Sequence, residues 1–443
     1  MSELFNKYKD QLINNNQLAK ELYEKHDVKR GLRDSNGKGV MAGITNVSSV
    51  RSFDKNGESM PGVLEYRGYN IKDLVEGVKS EDRFGFEEAT YLLIFGTLPA
   101  QNELDEFKKL LGANRQLPKY FERDIILQNP TEDLMNSISM SLLALANQDT
   151  DALNFSLESS FNQAIKIIGM FPAISVYAYQ AFNHYIKGEV LSIRRPKAEF
   201  STAENILYMM RPDGKFSDNE AKTLDVALML HMDHSGGNNS TFTTRVVTSA
   251  ASDTYATMAA AMASLKGPKH GGANGKAFQM LEHIRDNIKD FKDEDEIRAY
   301  LLKILNKEAF DNAGLLYGIG HAVYTLSDPR YEIFKSYVEG IAKEKGLYDE
   351  FLLYEKVAEL SPSVVAEKRK TFKPVSSNID YYSGFVYKSL GIPEELYTPL
   401  FAIARVVGWC AHRIEDIING GKIVRPDYES VTPSMGYVAL GNR

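Results

Sequence analysis

Cysteine is almost missing: Cys410 is the only one in 443 residues. A single thiol excludes an internal disulfide framework and any thiolate zinc cluster, and it fits a reducing compartment. The N-terminal stretch MSELFNKYKDQLINNNQLAK has no apolar core of signal-peptide length and is not the Arg- and Ser-rich, acid-poor segment of a transit peptide. No run approaches the roughly 18 consecutive apolar residues of a membrane span. A basic excess is also absent: 52 Lys and Arg against 59 Asp and Glu give a net charge of −7. That balance argues against bulk binding to nucleic acid or an anionic membrane, while leaving room for a local cationic pocket. There is no fixed-period repeat, no low-complexity tract, and no HExxH or CxxC metal motif. The expectation is a soluble, cytoplasmic protein without a metal.

What remains is an ordinary globular composition, 43% hydrophobic and 25% charged, on a chain long enough for a large core and for about three domains as a length prior. Most of it reads as helix. Ser217 and Glu220 have capping-box spacing, after which Ala221, Leu224, Leu228 and His231 recur at helical spacing until Gly236-Gly237. A second helix is predicted from near Ser252 to Gly267-Pro268. A third follows Asp328-Pro329, an N-cap with Pro at the first helical position, and a fourth follows Thr398-Pro399. Strand character is confined to Gly39–Phe53, with Asn56-Gly57 as a turn. The predicted class is all-α with a minor N-terminal hairpin.

Candidate chemistry collects around histidine. Of eight, four lie in glycine-rich segments: His231 and His234 in HMDHSGGN, His270 in KGPKHGGAN and His321 in GIGHAVYTLSDPR. Each has a bland alternative. His231 lies on an apolar stripe, His234 is favoured by a helix C-terminus, and His270 suits a turn; together they point to a site. His231, Asp233 and His234 could be read as metal ligands, but an i,i+3 His pair is weak evidence without a further ligand at a known spacing. Arg405 sits in an apolar helix segment with no carboxylate at i±3 or i±4, so it needs an anion from elsewhere, either a distant acid or a bound carboxylate. Arg330 lies in a first helical turn, where a cation opposes the dipole. Arg425 alone carries no information. Asp380, in NIDYYSG, reads as a helix cap, with Asn378 an equal candidate.

Taken in order, HMDHSGGN, KGPKHGGAN, GIGHAVYTLSDPR, NIDYYSG and FAIARVVGW resemble the site segments of the citrate synthase family, over about Gly39 to Pro426. The resemblance implies an all-α fold with a large domain (1–275 and 392–443) and a smaller mobile one (276–391). It also implies a homodimer with shared active sites, and condensation of acetyl-CoA with oxaloacetate followed by citryl-CoA hydrolysis, the citrate-forming step of the tricarboxylic acid cycle. By this resemblance Asp380 is the base for the acetyl methyl proton, His270 bonds the thioester oxygen and His321 polarises the oxaloacetate carbonyl. His234, Arg330 and Arg405 hold oxaloacetate carboxylates, and Arg425 comes from the partner subunit. Leu315–Gly320, including Gly318 and Ile319, receives the CoA adenine.

The chain departs from the family pattern in two places. Gly275-Lys276 follow GGAN where an acidic residue is common, and Pro374 is separated from Asn378. Lys368, Arg369, Lys370 and Lys373 are candidate contacts to CoA phosphates, of which Lys370 and Lys373 are taken forward. No cofactor is implied, acetyl-CoA being a substrate. The alternatives are 2-methylcitrate synthase using propionyl-CoA, a catalytically silent binding homologue, and a helical metalloenzyme built on His231, Asp233 and His234.

Overall fold

A computed structural model of the chain describes residues 2–34, 39–320, 323–324, 326–370 and 375–443. His321 and Lys373 lie outside them. The chain divides into two units, one of residues 1–43 with 424–443 and one of residues 44–423. The first holds the helices Ser2–Asn16 and Lys20–Lys25 and a short turn of helix at Leu440–Asn442, with Leu4, Met435 and Tyr437 exposed. The second holds the predicted functional residues other than Arg425.

The second unit is mostly helical, as the periodicity predicts. Its helices include α1 (Leu157–Tyr185), α2 (Asp218–His231), α3 (Asn239–Ser249), α4 (Thr254–Leu265) and α5 (Ala273–Asn287). After these come α6 (Pro329–Glu344), α7 (Tyr348–Arg369), α8 (Ile379–Ser389) and α9 (Tyr397–Ile418). The caps follow the sequence signals. Ser217 Oγ accepts from Glu220 N at 3.1 Å while Ser217 N donates to the Glu220 carboxylate at 2.8 Å. Asp328 caps α6, with Pro329 opening it. α4, predicted to begin near Ser252, is capped by Asp253. α1 is long and apolar enough to cross a membrane, but its most apolar stretch is 89% buried in the fold. It is the core helix of a helical layer, which explains apolar character on every face.

The predicted hairpin is present, but it starts later than Gly39 and carries a short third strand. β1 (Ser48–Phe53) pairs antiparallel with β2 (Ser59–Tyr66), Val50 facing Leu64, and β2 pairs with the two-residue β3 (Tyr69–Asn70). Val40 and Ile44 stay outside the sheet and exposed. The hairpin's role is support. Gly62 N donates to Ser327 O at 3.0 Å and Ser52 Oγ to Val323 O at 2.6 Å. A Cβ at Gly62 would stand 2.3 Å from Ser327 O, so only glycine lets β2 lie this close to the segment that leads into α6.

Candidate functional site

The site is built where α2 ends and α6 and α8 begin, against the middle of α9. α2 stops at His231, five residues before the glycine pair expected to stop it. The reason is tertiary. Asp233 turns inward, where its Oδ2 accepts from Ser235 N at 3.0 Å, from His412 Nε2 at 3.1 Å and from Ser48 Oγ. Gly408 of α9 backs onto this turn, where a Cβ would meet Met232 O at 2.4 Å. His234 therefore lies in a loop past the helix end, its ring edge-on to Tyr324 at 5.5 Å between centroids.

His231 is buried, as its apolar stripe predicts. Its Nδ1 lies 2.8 Å from Ala227 O, and burial pushes its pKa down to about 3, so the ring is neutral. What the site uses is its backbone: Arg405 Nε donates to His231 O at 2.8 Å. Arg405 is 1% exposed, and its Nη1 is buried without a hydrogen-bond partner among the described residues. Burial lowers its pKa to about 10, with Asp233 pulling the other way. Among the described residues no acid takes this Nη1, which favours the bound-carboxylate alternative over the structural one.

Arg330, also buried, has a partner that spacing did not reveal. Its Nε and Nη2 donate to the two oxygens of Asp328 at 3.0 and 2.8 Å. The same carboxylate caps α6 through Arg330 N at 3.0 Å and accepts from Ile379 N at 3.3 Å. Burial alone would lower the Arg330 pKa; the Asp328 charge outweighs it, so the guanidinium is held charged. Asp328 thus ties a first-turn arginine, unfavourable towards the dipole, to the start of α8. The Arg330 guanidinium lies 5.6 Å from the centroid of Tyr324, the ring that also faces His234.

Asp380 begins α8 without capping it. Asn378 is the cap, accepting from Asp380 N at 2.9 Å. The Asp380 carboxylate has no hydrogen-bond partner among the described residues, and it is mostly buried. Burial raises its pKa to about 6 against the opposing pull of Arg330 and Arg405, with Asp328 adding to the rise. A carboxyl poised near neutrality beside two guanidinium groups is suited to general-base work.

The predicted CoA loop is fastened to the same segment. Ile319 bridges Ser377, Gly320 N donates to Ser376 O at 2.7 Å, and Asn378 donates from N to Gly318 O at 2.9 Å and from Nδ2 to Gly320 O at 2.7 Å. Gly318 has φ +76° and would place a Cβ 3.0 Å from Tyr381 Cα, so glycine is required twice over. Leu315 is exposed on this loop. Lys370, in left-handed conformation at the end of α7, is exposed. Arg425 is exposed in the other unit.

His270 lies between α4 and α5, as predicted. Its Nε2 is 3.1 Å from Asn238 Oδ1 and 3.0 Å from Ser240 Oγ, which accepts from Trp409 Nε1 at 3.2 Å. Burial first, then the Arg405 charge, lowers its pKa to about 4, so the imidazole is neutral. Phe401 links the groups: it lies edge-on to His231 at 4.8 Å and to His270 at 6.2 Å, with the Arg405 guanidinium 4.7 Å from its centroid. Phe401, Tyr324, Asn238 and Ser240 escaped the sequence reading. All four had a positional signal, since Asn238 closes HMDHSGGN with Ser240 two residues on, Tyr324 lies in GIGHAVYTLSDPR and Phe401 opens FAIARVVGW. Among the described residues no group of three or more His, Cys, Asp or Glu is disposed to hold a metal ion.

Comparisons with known proteins bear on this arrangement. A family model described as "Citrate synthase, C-terminal domain" matches residues 34–427. The citrate synthase of Synechocystis sp. is 35% identical over 393 residues, 87% of this chain and 89% of that one. The 2-methylcitrate synthase of Shewanella oneidensis is 34% identical over 413 residues, 92% of this chain and 97% of that one. Among solved structures, the citrate synthase of Thermoplasma acidophilum in ternary complex with carboxymethyl coenzyme A and oxaloacetate matches with a TM-score of 0.76 at 28% identity. That match covers 94% of this chain and 99% of that one.

Proposed function

The chain belongs to the citrate synthase family, and from that premise we propose how its residues divide the reaction. It is an acyltransferase that joins a short acyl-CoA to oxaloacetate and releases CoA. We take the acyl group to be acetyl, giving citrate by way of citryl-CoA. The observation that carries the assignment of residues is Asp380: uncapping, unpaired and poised near pKa 6 beside Arg330 and Arg405.

In this reading oxaloacetate is held by Arg405, whose buried Nη1 has a donor to give, by Arg330 and by His234. His321 polarises its carbonyl, an assignment resting on the resemblance alone. Asp380 takes the methyl proton of the thioester. The developing enolate needs a donor, and neutral His270 supplies it from Nδ1. That tautomer requires Nε2 to accept, from the Ser240 hydroxyl fixed by Trp409, with the Asn238 amide turned to present its NH2. The condensation is thereby set up between an oriented electrophile and a carbanion equivalent. Closure of the smaller domain, residues 276–391, then keeps water from the thioester until citryl-CoA has formed. The loop 315–320 takes the adenine and Lys370 and Lys373 the CoA phosphates.

The acyl chain is tested by following CoA release from acetyl-CoA and from propionyl-CoA, each with oxaloacetate. One methylene in an apolar pocket discriminates by about 10- to 200-fold in kcat/KM, and acetyl-CoA should win by a margin in that range. The relative named 2-methylcitrate synthase supports the second reading, and a clear preference for propionyl-CoA would establish it.

The protein acts as a homodimer, with Arg425 entering the partner's site. Exposed apolar residues of the terminal unit, among them Phe5, Met435 and Tyr437, support this. Mixing Arg425→Ala with Asp380→Ala subunits, each inactive alone, should then restore about a quarter of wild-type activity, since half of randomly paired dimers carry one complete site. No recovery despite demonstrated subunit exchange would reject the shared site.

A further inference from the structure

Nearly every buried polar side chain in a folded protein finds a partner. Asn274 does not. It lies in the first turn of α5, is 0% exposed, and neither Oδ1 nor Nδ2 has a hydrogen-bond partner among the described residues. The cap position is Gly272, so capping does not explain it. An apolar residue of the same shape would be tolerated more cheaply there unless the amide has work elsewhere.

Its place is fixed by helix register. α5 and α8 run parallel and meet along one face of each. A Cβ at Gly384 would stand 2.6 Å from Phe278 Cβ. One turn onward, Lys388 Nζ donates to both oxygens of Glu282 at 2.9 and 3.0 Å. Side chains four apart share a helix face, so one turn back from the Phe278–Gly384 contact the paired positions are Asn274 and Asp380. Two polar groups without partners, an amide and a carboxylate, thus stand level on facing helices.

We propose that Asn274 is a positioning residue for the base: its Nδ2 donates to one carboxylate oxygen of Asp380 when the acyl thioester is engaged, leaving the other oxygen to take the methyl proton. The bond is not made in this structure, and making it breaks no existing partnership of either side chain. It rests on the reading of Asp380 as base. The other groups acting on Asp380 are Arg330, Asp328, Arg405 and the buried Tyr387 hydroxyl of its own helix.

The test compares the full-length Asn274→Leu, Asn274→Asp and Asp380→Ala variants for kcat, oxaloacetate affinity, thermal midpoint and the pH profile of kcat/KM. Asn274→Leu should lower kcat about 10- to 100-fold, the loss of one hydrogen bond to a charged group. Oxaloacetate affinity should hold and the thermal midpoint should stay level or rise. The acidic limb should move to higher pH, because the ionised carboxylate has lost a donor, and Asn274→Asp should move it further. A structural asparagine would give the reverse: a lower thermal midpoint with kcat and limb as in wild type, and that overturns the proposal. Should Asn274→Leu fail to fold, Asn274→Asp and Asn274→Ser carry the same readouts. Turnover surviving in Asp380→Ala would remove the base assignment itself; an inactive Asp380→Ala with unaffected Asn274 variants would remove only the present inference.

Discussion

Asp380→Ala is expected to reduce turnover by about 10²- to 10⁴-fold, the range supplied by a positioned general base, while oxaloacetate binds at least as tightly as before. The second half is the sharper one. The carboxylate sits within the field of Arg330 and Arg405, so deleting it removes a competitor for the same cations. Calorimetric titration with oxaloacetate, alongside exchange of the acetyl-CoA methyl protons into deuterated water, checks both. Equal loss of binding and exchange would mean that Asp380 builds the pocket rather than acting in it. In the wild-type enzyme kcat/KM should fall as pH drops through about 6, as the base becomes protonated. Stability has the opposite sign. A carboxyl whose pKa is raised on folding holds its proton more tightly folded than unfolded, so the fold loses stability as pH rises from about 3.9 to the folded value. Asp380→Asn should therefore raise the thermal midpoint at pH 7 and leave it nearly unchanged below pH 4.

Arg405→Met is expected to weaken oxaloacetate binding by about 30-fold or more, the cost of leaving one side of a buried charge pair unmatched. Oxaloacetate should raise the thermal midpoint of the wild type and barely move that of the variant. Arg405→Lys should recover little. The guanidinium spans two tasks at once, Nε on the His231 carbonyl and Nη1 towards the ligand, and an ammonium has no fork with which to do both. Full recovery by lysine would reduce the residue to a point charge and remove the two-task reading.

Much of the site was legible because helix signals are local. The Ser217/Glu220 box, Asp328-Pro329 and the apolar run around Arg405 are patterns within one turn or two, and each appears in the structure where the sequence puts it. Less was legible where a local pattern meets a tertiary partner. α2 ends at His231 because Asp233 is drawn to Ser48 and His412, from opposite ends of the chain. Arg330 looked misplaced in a first helical turn because its partner, two residues earlier, had been read only as a cap; Asp328 does both. The choice between Asn378 and Asp380 as the cap of α8 turned on one bond, from Asp380 N to Asn378 Oδ1, which freed the carboxylate.

By itself, then, the sequence determined the helical class, the caps, and the residue types that carry the chemistry, because periodicity, capping and glycine-lined histidine segments act over a few residues. Only the tertiary structure decided which of those groups are left with something to bind. Arg405 keeps a buried donor, Asp380 a half-buried acceptor and Asn274 a whole buried amide, and each is a statement about what the other described segments do not supply. Hydrogen-bond satisfaction is a property of the packed interior, summed over every neighbour in space, and no stretch of sequence contains it.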